Sequence, residues 1–248
     1  MRELTLIHLY PDLMNLYGDR GNIVALKRRC EWRGIRLNVT PVSLGDPFDA
    51  DRADLVFIGG GQDYEQGILQ DDALTGKRDA ILRAVESDVV FLAICGGYQL
   101  LGSHYLPGEG KRIECLGALD VYTEAGRERL IGNLVFDCDL LPEDGRKVVG
   151  FENHSGKTFR GPGMAPLGKV LHGHGNTGSD GTEGAVYRNV FCSYSHGSLL
   201  PKNPALADLL VERALKRRHP DADALSPLGD ELERTARNGL LKRFGQGN

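Results

Sequence analysis

Two apolar runs that each end in glycines constrain the fold of this 248-residue chain most strongly. The run Asp54–Ile58 (DLVFI) is followed by Gly59-Gly60-Gly61, and the run Val89–Ile94 (VVFLAI) by Cys95-Gly96-Gly97. Short, continuous apolar runs bounded by glycine are typical of strands buried on both faces. Each run therefore predicts a central strand of a parallel sheet with a tight turn at its carboxyl end.

Strand-like and helix-like segments alternate through the first half of the chain. Further strands are predicted at Leu4–Leu9 and Ile35–Val42, and amphipathic helices between Asp19 and Gly34 and over Leu74–Glu86. Asp19 stands at the predicted N-cap position of the first helix, where its side chain could accept a hydrogen bond from a backbone N–H of the first turn. The alternation predicts an α/β fold, with a mostly parallel central sheet and helices on both faces.

The second half is richer in glycine and less regular. Short strands that would add antiparallel to the main fold are predicted at Leu130–Phe136, Val148–Phe151 and Ala185–Val190, followed by a core strand Phe191–Tyr194 and a helix Asn203–Arg218. These elements complete one predicted domain over residues 1–218. Residues 219–248 are predicted to form a linker and a charged helix at 228–244.

Composition excludes several classes of protein. The formal net charge of −4 gives no reason to expect nucleic acid or a membrane surface as a partner. The chain has neither a signal-peptide pattern nor an apolar run long enough for a transmembrane helix, so we expect a cytoplasmic protein. The five cysteines are widely spaced and form no CxxC pair, which argues against a disulfide framework or a four-cysteine zinc site.

Cys95 is the candidate nucleophile. A buried strand that ends in a nucleophilic residue and turns at once into a helix is typical of a nucleophile elbow, whose strained turn requires neighbouring glycines. A helix N-terminus favours the thiolate, and the Gly96 amide would point to a developing oxyanion. The alternative is a small core cysteine before a glycine turn, and the strand–turn–helix context favours the nucleophile.

Gly60 and Gly61 are candidate donors to the same oxyanion. Parallel strands deliver their carboxyl ends to one edge of a sheet, so this turn should lie beside Cys95. Their backbone amides could then approach a ligand closely. The alternative is a flexible turn between a strand and a helix.

Among the histidines, His196 is the best partner for Cys95, because it follows the last predicted strand and should emerge at the same sheet edge. His8 lies inside a strand and is predicted to be a core residue. His172 and His174 (HGH) have no carboxylate or cysteine at a helpful spacing, so no metal site is predicted. His154 could line a substrate path or cap a turn, and the sequence leaves that open.

The motif Cys95-Gly96-Gly97-Tyr98-Gln99, the Gly60-Gly61 turn and the late His196 together resemble the class I glutamine amidotransferases. The segments LYGDRGN (16–22), IGGGQDYEQ (58–66), ICGGYQLLG (94–102), GFENHSG (150–156) and SYSHGSLLPKN (193–203) are similar, more narrowly, to the CobB/CobQ-like branch. Within that branch they resemble the glutaminase subunits of lipid II isoglutaminyl synthases. The resemblance reaches to about residue 215 and implies a flavodoxin-like fold.

The resemblance implies a definite reaction. Cys95 would attack the side-chain amide of glutamine, His196 would shuttle the proton that lets ammonia leave, and water would cleave the thioester. The amides of Gly60, Gly61 and Gly96 would hold the oxyanion. Gln99 would help to bind glutamine. Arg129 would grip its α-carboxylate, with a solvated surface charge as the equal alternative.

One departure from the wider class is visible after the histidine. Many members carry His-x-Glu, whereas this chain has His196-Gly197-Ser198. The narrower branch is implied to use a Cys–His dyad. The sequence does not identify the group that orients His196, and Glu152 is one candidate.

A partner is also implied, because the chain has no GxxxxGK[ST] loop for ATP. The resemblance implies a heterodimer with a MurT-like subunit of the Mur ligase family. That subunit would bind ATP and Mg²⁺ and amidate the D-glutamate of lipid II to D-isoglutamine in peptidoglycan synthesis. Two alternatives stay open, namely an amidotransferase for another acceptor such as a corrinoid, and a non-catalytic scaffold subunit.

Overall fold

The computed structural model describes residues 1–15, 18–61 and 69–245, and contains two sheets. The strands are β1 (Glu3–Leu9), β2 (Arg36–Val42), β3 (Leu55–Ile58), β4 (Val90–Ile94), β5 (His104–Leu106), β6 (Ile113–Glu114), β7 (Val121–Asp137), β8 (Lys147–Arg160), β9 (Gly168–His172), β10 (Thr182–Glu183), β11 (Ala185–Tyr187), β12 (Val190–Ser193) and β13 (Ser195–His196). The helices are α1 (Gly21–Glu31), α2 (Arg78–Glu86), α3 (Gly96–Leu101), α4 (Leu199–Lys202), α5 (Pro204–Arg218) and α6 (Glu231–Arg243).

The central sheet has the strand order β11-β12-β4-β3-β1-β2. Its pairs from β2 through β12 are parallel, and β11 adds antiparallel at the edge. Every residue of β3 and β4 is buried, which is the burial expected of strands covered on both faces. The predicted mostly parallel α/β sheet is therefore confirmed.

The helices cover the central sheet by burying their apolar stripes. Helix α5 packs against α1, β1 and β4, and buries Leu206, Leu210 and Ala214 at helical spacing. The predicted helix Leu74–Glu86 is divided in the structure, because a π-helical turn, Asp72–Lys77, precedes α2. None of the helices in the described ranges combines the length and apolarity that a bilayer span requires.

The middle of the chain forms a second, largely antiparallel sheet around the long pair β7 and β8. The predicted strands Leu130–Phe136 and Val148–Phe151 lie inside this pair and are much shorter than the strands observed. The predicted strand Ala185–Val190 is wrong as one element. The backbone reverses at Arg188, whose φ is +53°, so β11 and β12 form a hairpin.

The two sheets meet where β12 ends. Strand β12 lies in the central sheet, and two residues later β13 pairs antiparallel with β8 of the second sheet. This crossing fixes His196 at the carboxyl edge of the central sheet, opposite Phe151 of β8.

The C-terminal helix packs on the second sheet. Leu241 of α6 joins Val135 and Val149 in a small apolar cluster, and the Phe244 ring stacks on His172 at 4.8 Å between ring centroids. The linker before α6 is held by an ion pair of Arg29 with Asp230, in which Nη1 lies 2.7 Å from Oδ1. The boundary at residue 218 stays a prediction.

Candidate active site

Cys95 stands between β4 and α3 in a strained conformation, with φ +50° and ψ −104°. Its N–H donates to the Ser193 carbonyl at 2.8 Å, and its carbonyl accepts the Gln99 N–H at 3.0 Å. A Cβ at Gly97 would lie 2.7 Å from the Ile58 carbonyl oxygen, so the turn has no room for a side chain there. The geometry is that of a nucleophile elbow.

The imidazole of His196 lies against Cys95. The ring is fully buried, interacts with the Cys95 side chain, and places Nδ1 3.1 Å from Asp19 Oδ2. Burial alone would lower the pKa of His196, but the charges of Cys95 and Asp19 and the hydrogen bonds with both raise it to about 10. The surroundings thus favour the imidazolium form of His196, which can donate a proton to a leaving group beside the candidate nucleophile Cys95.

Asp19 is a site residue that the sequence analysis missed. It was expected to cap α1, but α1 begins with Arg20 at the N-cap position and has no side-chain cap. The Asp19 carboxylate is fully buried, and Oδ2 accepts the Gly60 N–H at 3.0 Å in addition to facing His196. The available signal was its position in the loop after β1, because that loop lies at the edge where β3 and β4 also end.

Glu152 does not orient His196. In the ladder between β8 and β13, Glu152 pairs with Ser195, so its side chain projects from the face opposite to His196. Its carboxylate accepts the N–H groups of His174 at 2.6 Å and Gly175 at 2.8 Å. The suggestion that Glu152 might orient the base is therefore wrong.

His154 belongs to this same buried region. Its Nδ1 donates to the Gly156 carbonyl at 2.7 Å, and its ring stacks on Tyr194 with 3.7 Å between centroids. Its Nε2 lies 3.7 Å from Glu152 Oε2, beyond hydrogen-bonding distance. His154 is thus a packed residue of the second sheet.

The glycine turn after β3 touches the elbow. A Cβ at Gly96 would lie 2.8 Å from the Gly61 nitrogen, so these two residues are in close contact. Gly60 differs, because its N–H is already donated to Asp19. Because the Gly60 N–H is occupied by Asp19 in this structure, we take Gly61 and Gly96 as the candidate donors, and the oxyanion roles of the three glycines stay predictions.

Gln99 and Arg129, the predicted substrate-binding residues, lie in different surroundings. Gln99 is buried, and its Nε2 donates to the Tyr194 hydroxyl at 3.1 Å. Arg129 is exposed on β7, and its Nε donates to Asn153 Oδ1. Asn153 is two residues from Phe151, the partner of His196, so it shares that face of the ladder. The binding roles of Gln99 and Arg129 stay predictions.

The other cysteines are chemically unlike Cys95. All are unpaired and buried in helices, strands or loops of the core. Burial raises the pKa of Cys30 and Cys115 to about 12, and also raises the pKa of Cys138 and Cys192. Among the five cysteines, only Cys95 lies at the elbow and beside His196.

Within the quoted motifs, residues 16–17 and 62–66 lie outside the described ranges.

The chain is similar to known glutamine amidotransferases. Residues 5–204 match the CobB/CobQ-like glutamine amidotransferase domain. The GatD subunit of the glutamine-hydrolyzing lipid II isoglutaminyl synthase of Streptococcus pneumoniae is 45% identical, over 88% of this chain and 82% of its own length. The GatD subunit of Staphylococcus aureus is 41% identical, over 88% and 87%. A cobyric acid synthase of Phocaeicola vulgatus is 32% identical over 66% of this chain, but over only 32% of its own length.

Two solved structures share the fold. The structure of PurLQS from Thermotoga maritima superposes with a TM-score of 0.57 at 18% identity, covering 88% of this chain and 95% of that one. The glutaminase domain of the Trypanosoma brucei CTPS, solved with bound acivicin, superposes with a TM-score of 0.54 at 12% identity, covering 90% and 96%.

Proposed function

Because this chain belongs to the CobB/CobQ-like glutamine amidotransferase family, we propose that it is the glutamine-hydrolysing subunit of a lipid II isoglutaminyl synthase. The observation that carries the proposal is the contact between Cys95 at the elbow and His196 at the same sheet edge. It stands in a chain that is 41–45% identical to two GatD subunits over 88% of its length.

The reaction follows from this pair. The Cys95 thiolate attacks the side-chain carbonyl carbon of glutamine, a C–S bond forms, and the oxygen takes up the electron pair beside the Gly61 and Gly96 amides. The His196 imidazolium gives its proton to the amide nitrogen, the C–N bond breaks, and ammonia leaves. Neutral His196 then takes a proton from a water molecule as the water oxygen attacks the thioester carbon. The C–S bond breaks, and glutamate and the Cys95 thiolate are released.

Glutamine would be held by groups beside this pair. Arg129 supplies a planar guanidinium suited to the α-carboxylate of an amino acid, on the ladder face that also carries His196. Gln99 supplies an amide one helical turn after Cys95. These roles are part of the proposal.

The ammonia would be used by a partner subunit. We propose a MurT-like member of the Mur ligase family, which would bind ATP and Mg²⁺ and form D-isoglutamine on lipid II. Five unpaired cysteines fit a reducing compartment, and the proposal places the complex in the cytoplasm.

The test uses the full chain purified with its Mur-ligase-like partner, supplied with glutamine, ATP, Mg²⁺ and lipid II. We expect glutamine consumption and amidated lipid II, both abolished by Cys95→Ala. The matched control Cys115→Ala removes a different buried thiol and should remain active. Retained activity in Cys95→Ala, or no glutamine hydrolysis by the intact complex, would overturn the proposal.

A corrinoid acceptor is distinguished in the same assay. Cobyric acid synthases match over a smaller share of this chain than the GatD subunits do, which favours lipid II. Amidation of a corrinoid carboxylate but not of lipid II would move the enzyme to that acceptor. A Cys95 that a glutamine-analogue electrophile fails to label in the complex would favour the non-catalytic scaffold instead.

A further inference from the structure

One oxygen atom joins three separate parts of the active site. Asp19 Oδ2, in the loop before α1, accepts the Gly60 N–H at 3.0 Å and faces His196 Nδ1 at 3.1 Å. Gly60 follows β3, and His196 lies in β13. A single carboxylate therefore connects the base to the turn that carries the Gly61 amide.

The glycine at position 60 is required by this contact. A Cβ there would lie 2.6 Å from His196 Cε1 and 3.2 Å from Asp19 Oδ2. Any side chain would thus push the imidazole away from the carboxylate. Gly60 thus permits the close approach of Asp19 to His196, and its neighbour Gly61 lies against Gly96 of the elbow.

The loop that carries Asp19 is fastened to the segment after His196. The Ser198 hydroxyl donates to the Gly18 carbonyl at 2.7 Å, and the Leu200 N–H donates to Asn22 Oδ1 at 2.9 Å. Ser198 occupies the position where the wider class carries the glutamate of His-x-Glu. The Ser198 hydroxyl instead anchors the loop that supplies the carboxylate of Asp19.

We propose that Asp19 is the positioning residue of the active site, holding the His196 imidazole beside Cys95 and holding the Gly60–Gly61 turn against the elbow. Because Asp19 acts through these groups and does not touch substrate, its removal should lower kcat more than it raises KM. The inference rests on the proposed glutaminase function and deepens it, since it replaces a Cys–His dyad with a three-residue arrangement.

The buried geometry also fixes the electrostatic role of Asp19. A fully buried carboxylate is costly without a partner, and the imidazolium of His196 supplies the compensating charge. Cys95 from the end of β4 and Asp19 from the loop before α1 are the titratable groups with the largest effects on His196. Removing the Asp19 charge should therefore move the titration of His196 to lower pH.

The experiment compares Asp19→Asn with Asp223→Asn, which removes the same charge from the exposed C-terminal linker. Two quantities are measured on the full chain in complex with its partner, namely kcat and KM for glutamine from pH 6 to 11. A third is measured on the chain without glutamine, namely the ¹⁵N NMR titration of the His196 imidazole, assigned with His196→Asn. Circular dichroism checks that each variant is folded.

Asp19→Asn should lower kcat roughly 10- to 1,000-fold, in the range seen when a group orienting a catalytic histidine or metal ligand is lost. KM should change by less than about threefold, as expected for an interaction that is stronger in the transition state than in the ground state. The alkaline limb of kcat/KM and the His196 titration should both move to lower pH, and Asp223→Asn should match the unmodified protein. A kcat within twofold of the unmodified protein and an unmoved titration would overturn the inference.

The outcomes separate this inference from the proposed function. If the unmodified complex hydrolyses glutamine and Asp19→Asn behaves like Asp223→Asn, the positioning role fails and the proposed function stands. If the complex does not hydrolyse glutamine but the His196 titration still moves, the proposed function fails and the positioning role stands.

Should Asp19→Asn not fold, the variant Ser198→Ala loosens the loop without changing the Asp19 carboxylate. A smaller change in the same direction then supports the inference, and no change contradicts it.

Discussion

Two buried pairs of a carboxylate and a histidine lie on opposite faces of the β8–β13 ladder. On one face, Asp19 Oδ2 is 3.1 Å from His196 Nδ1, and on the other, Glu152 Oε2 is 3.7 Å from His154 Nε2. The burial is similar, since all four residues are at most 3% exposed. Burial and residue type therefore do not distinguish the proposed catalytic pair from the structural one.

What differs is the use of the hydrogen-bonding groups. The Glu152 carboxylate is satisfied by two backbone N–H groups of the turn that follows β9, and His154 Nδ1 is satisfied by a carbonyl. In the other pair, the carboxylate meets the imidazole directly, and the ring also contacts a thiol. The Glu152–His154 pair therefore holds backbone groups in place, whereas the Asp19–His196 pair consists of side chains that could exchange a proton.

The largest difference in kcat should come from substituting His196 and His154 separately. His196→Asn removes the proton shuttle and should lower kcat about 10²- to 10⁴-fold, the usual contribution of a general acid–base group. His154→Asn keeps the shuttle and should cost roughly 0.5–3 kcal/mol of unfolding free energy while keeping kcat within a few-fold. Glutaminase assays and urea unfolding measure both. Equal loss of kcat in both variants would break the distinction between the pairs.

The next largest effect should come from Glu152→Gln. Two backbone N–H groups need acceptors, and a glutamine amide offers one oxygen and turns an NH₂ group toward the other donor. We expect a loss of about 1–3 kcal/mol in unfolding free energy, the cost of leaving a buried donor unsatisfied. Glu124→Gln, an exposed position of β7, is the matched control and should change stability little.

The pH dependence of kcat/KM distinguishes Glu152 from Asp19 most clearly. Because Glu152 does not touch His196, Glu152→Gln should leave the alkaline limb of kcat/KM in place. A movement of that limb comparable with the one expected for Asp19→Asn would show that Glu152 acts on the base after all.

A smaller effect is expected in the pH dependence of stability. The pKa of His196 is raised to about 10 in the folded protein, against about 6.5 in an unfolded chain. The stabilisation that this shift supplies is fully present below pH 6.5 and is lost as the pH rises through about 10. The difference in unfolding free energy between the unmodified protein and His196→Asn should therefore shrink from pH 6 to pH 10.

Cys95→Ala sharpens this pH test. Cys95 is one of the groups that raise the pKa of His196, so the variant should show a weaker decline of stability over the same range. Urea titrations at pH 6, 8 and 10 measure the three proteins. A difference that grows with pH would mean that the shift of His196 has the opposite sign.

The elbow could be predicted from the sequence because its signals are local. An apolar run, a cysteine and two glycines lie within ten residues, and each reports on the backbone of its own neighbours. Asp19 could not be predicted, because its contact with His196 spans 177 residues and its local signature is that of a helix cap. The same limit applied to Glu152, since a sequence does not show which face of a ladder a carboxylate occupies before the strands are paired.

The second sheet was underestimated for a related reason. The polar stretch TEAGRER (123–129) lies within β7, where the register against β8 shifts between Ala125 and Leu130. Strands with one exposed face and a bulge lack the continuous apolar run that identifies β3 and β4. The central sheet was therefore predictable from its continuous apolar runs, and the hairpin that carries Asn153 and His154 was not.

The smallest effect should arise at Tyr194, which touches both regions. Its ring stacks on His154, while its hydroxyl accepts the Gln99 Nε2 hydrogen bond at 3.1 Å and bonds to the Thr158 hydroxyl at 2.5 Å. Tyr194→Phe keeps the stacking and removes the hydroxyl with its hydrogen bonds. The expected loss of stability is about 0.5–1.5 kcal/mol, the usual net value of a hydrogen bond.

The kinetic result of Tyr194→Phe decides what Gln99 does. If Gln99 holds glutamine, loosening its side chain should raise KM a few-fold with kcat nearly unchanged, because binding is weakened equally in the ground and transition states. Thr123→Val is the control, since it removes the hydrogen bond between Thr123 and Thr158 and leaves the Tyr194 hydroxyl and its bond to Gln99 in place. An unchanged KM in Tyr194→Phe would assign Gln99 to the packed region of His154 and Glu152, whereas a fall in kcat would assign it to the region of His196 and Asp19.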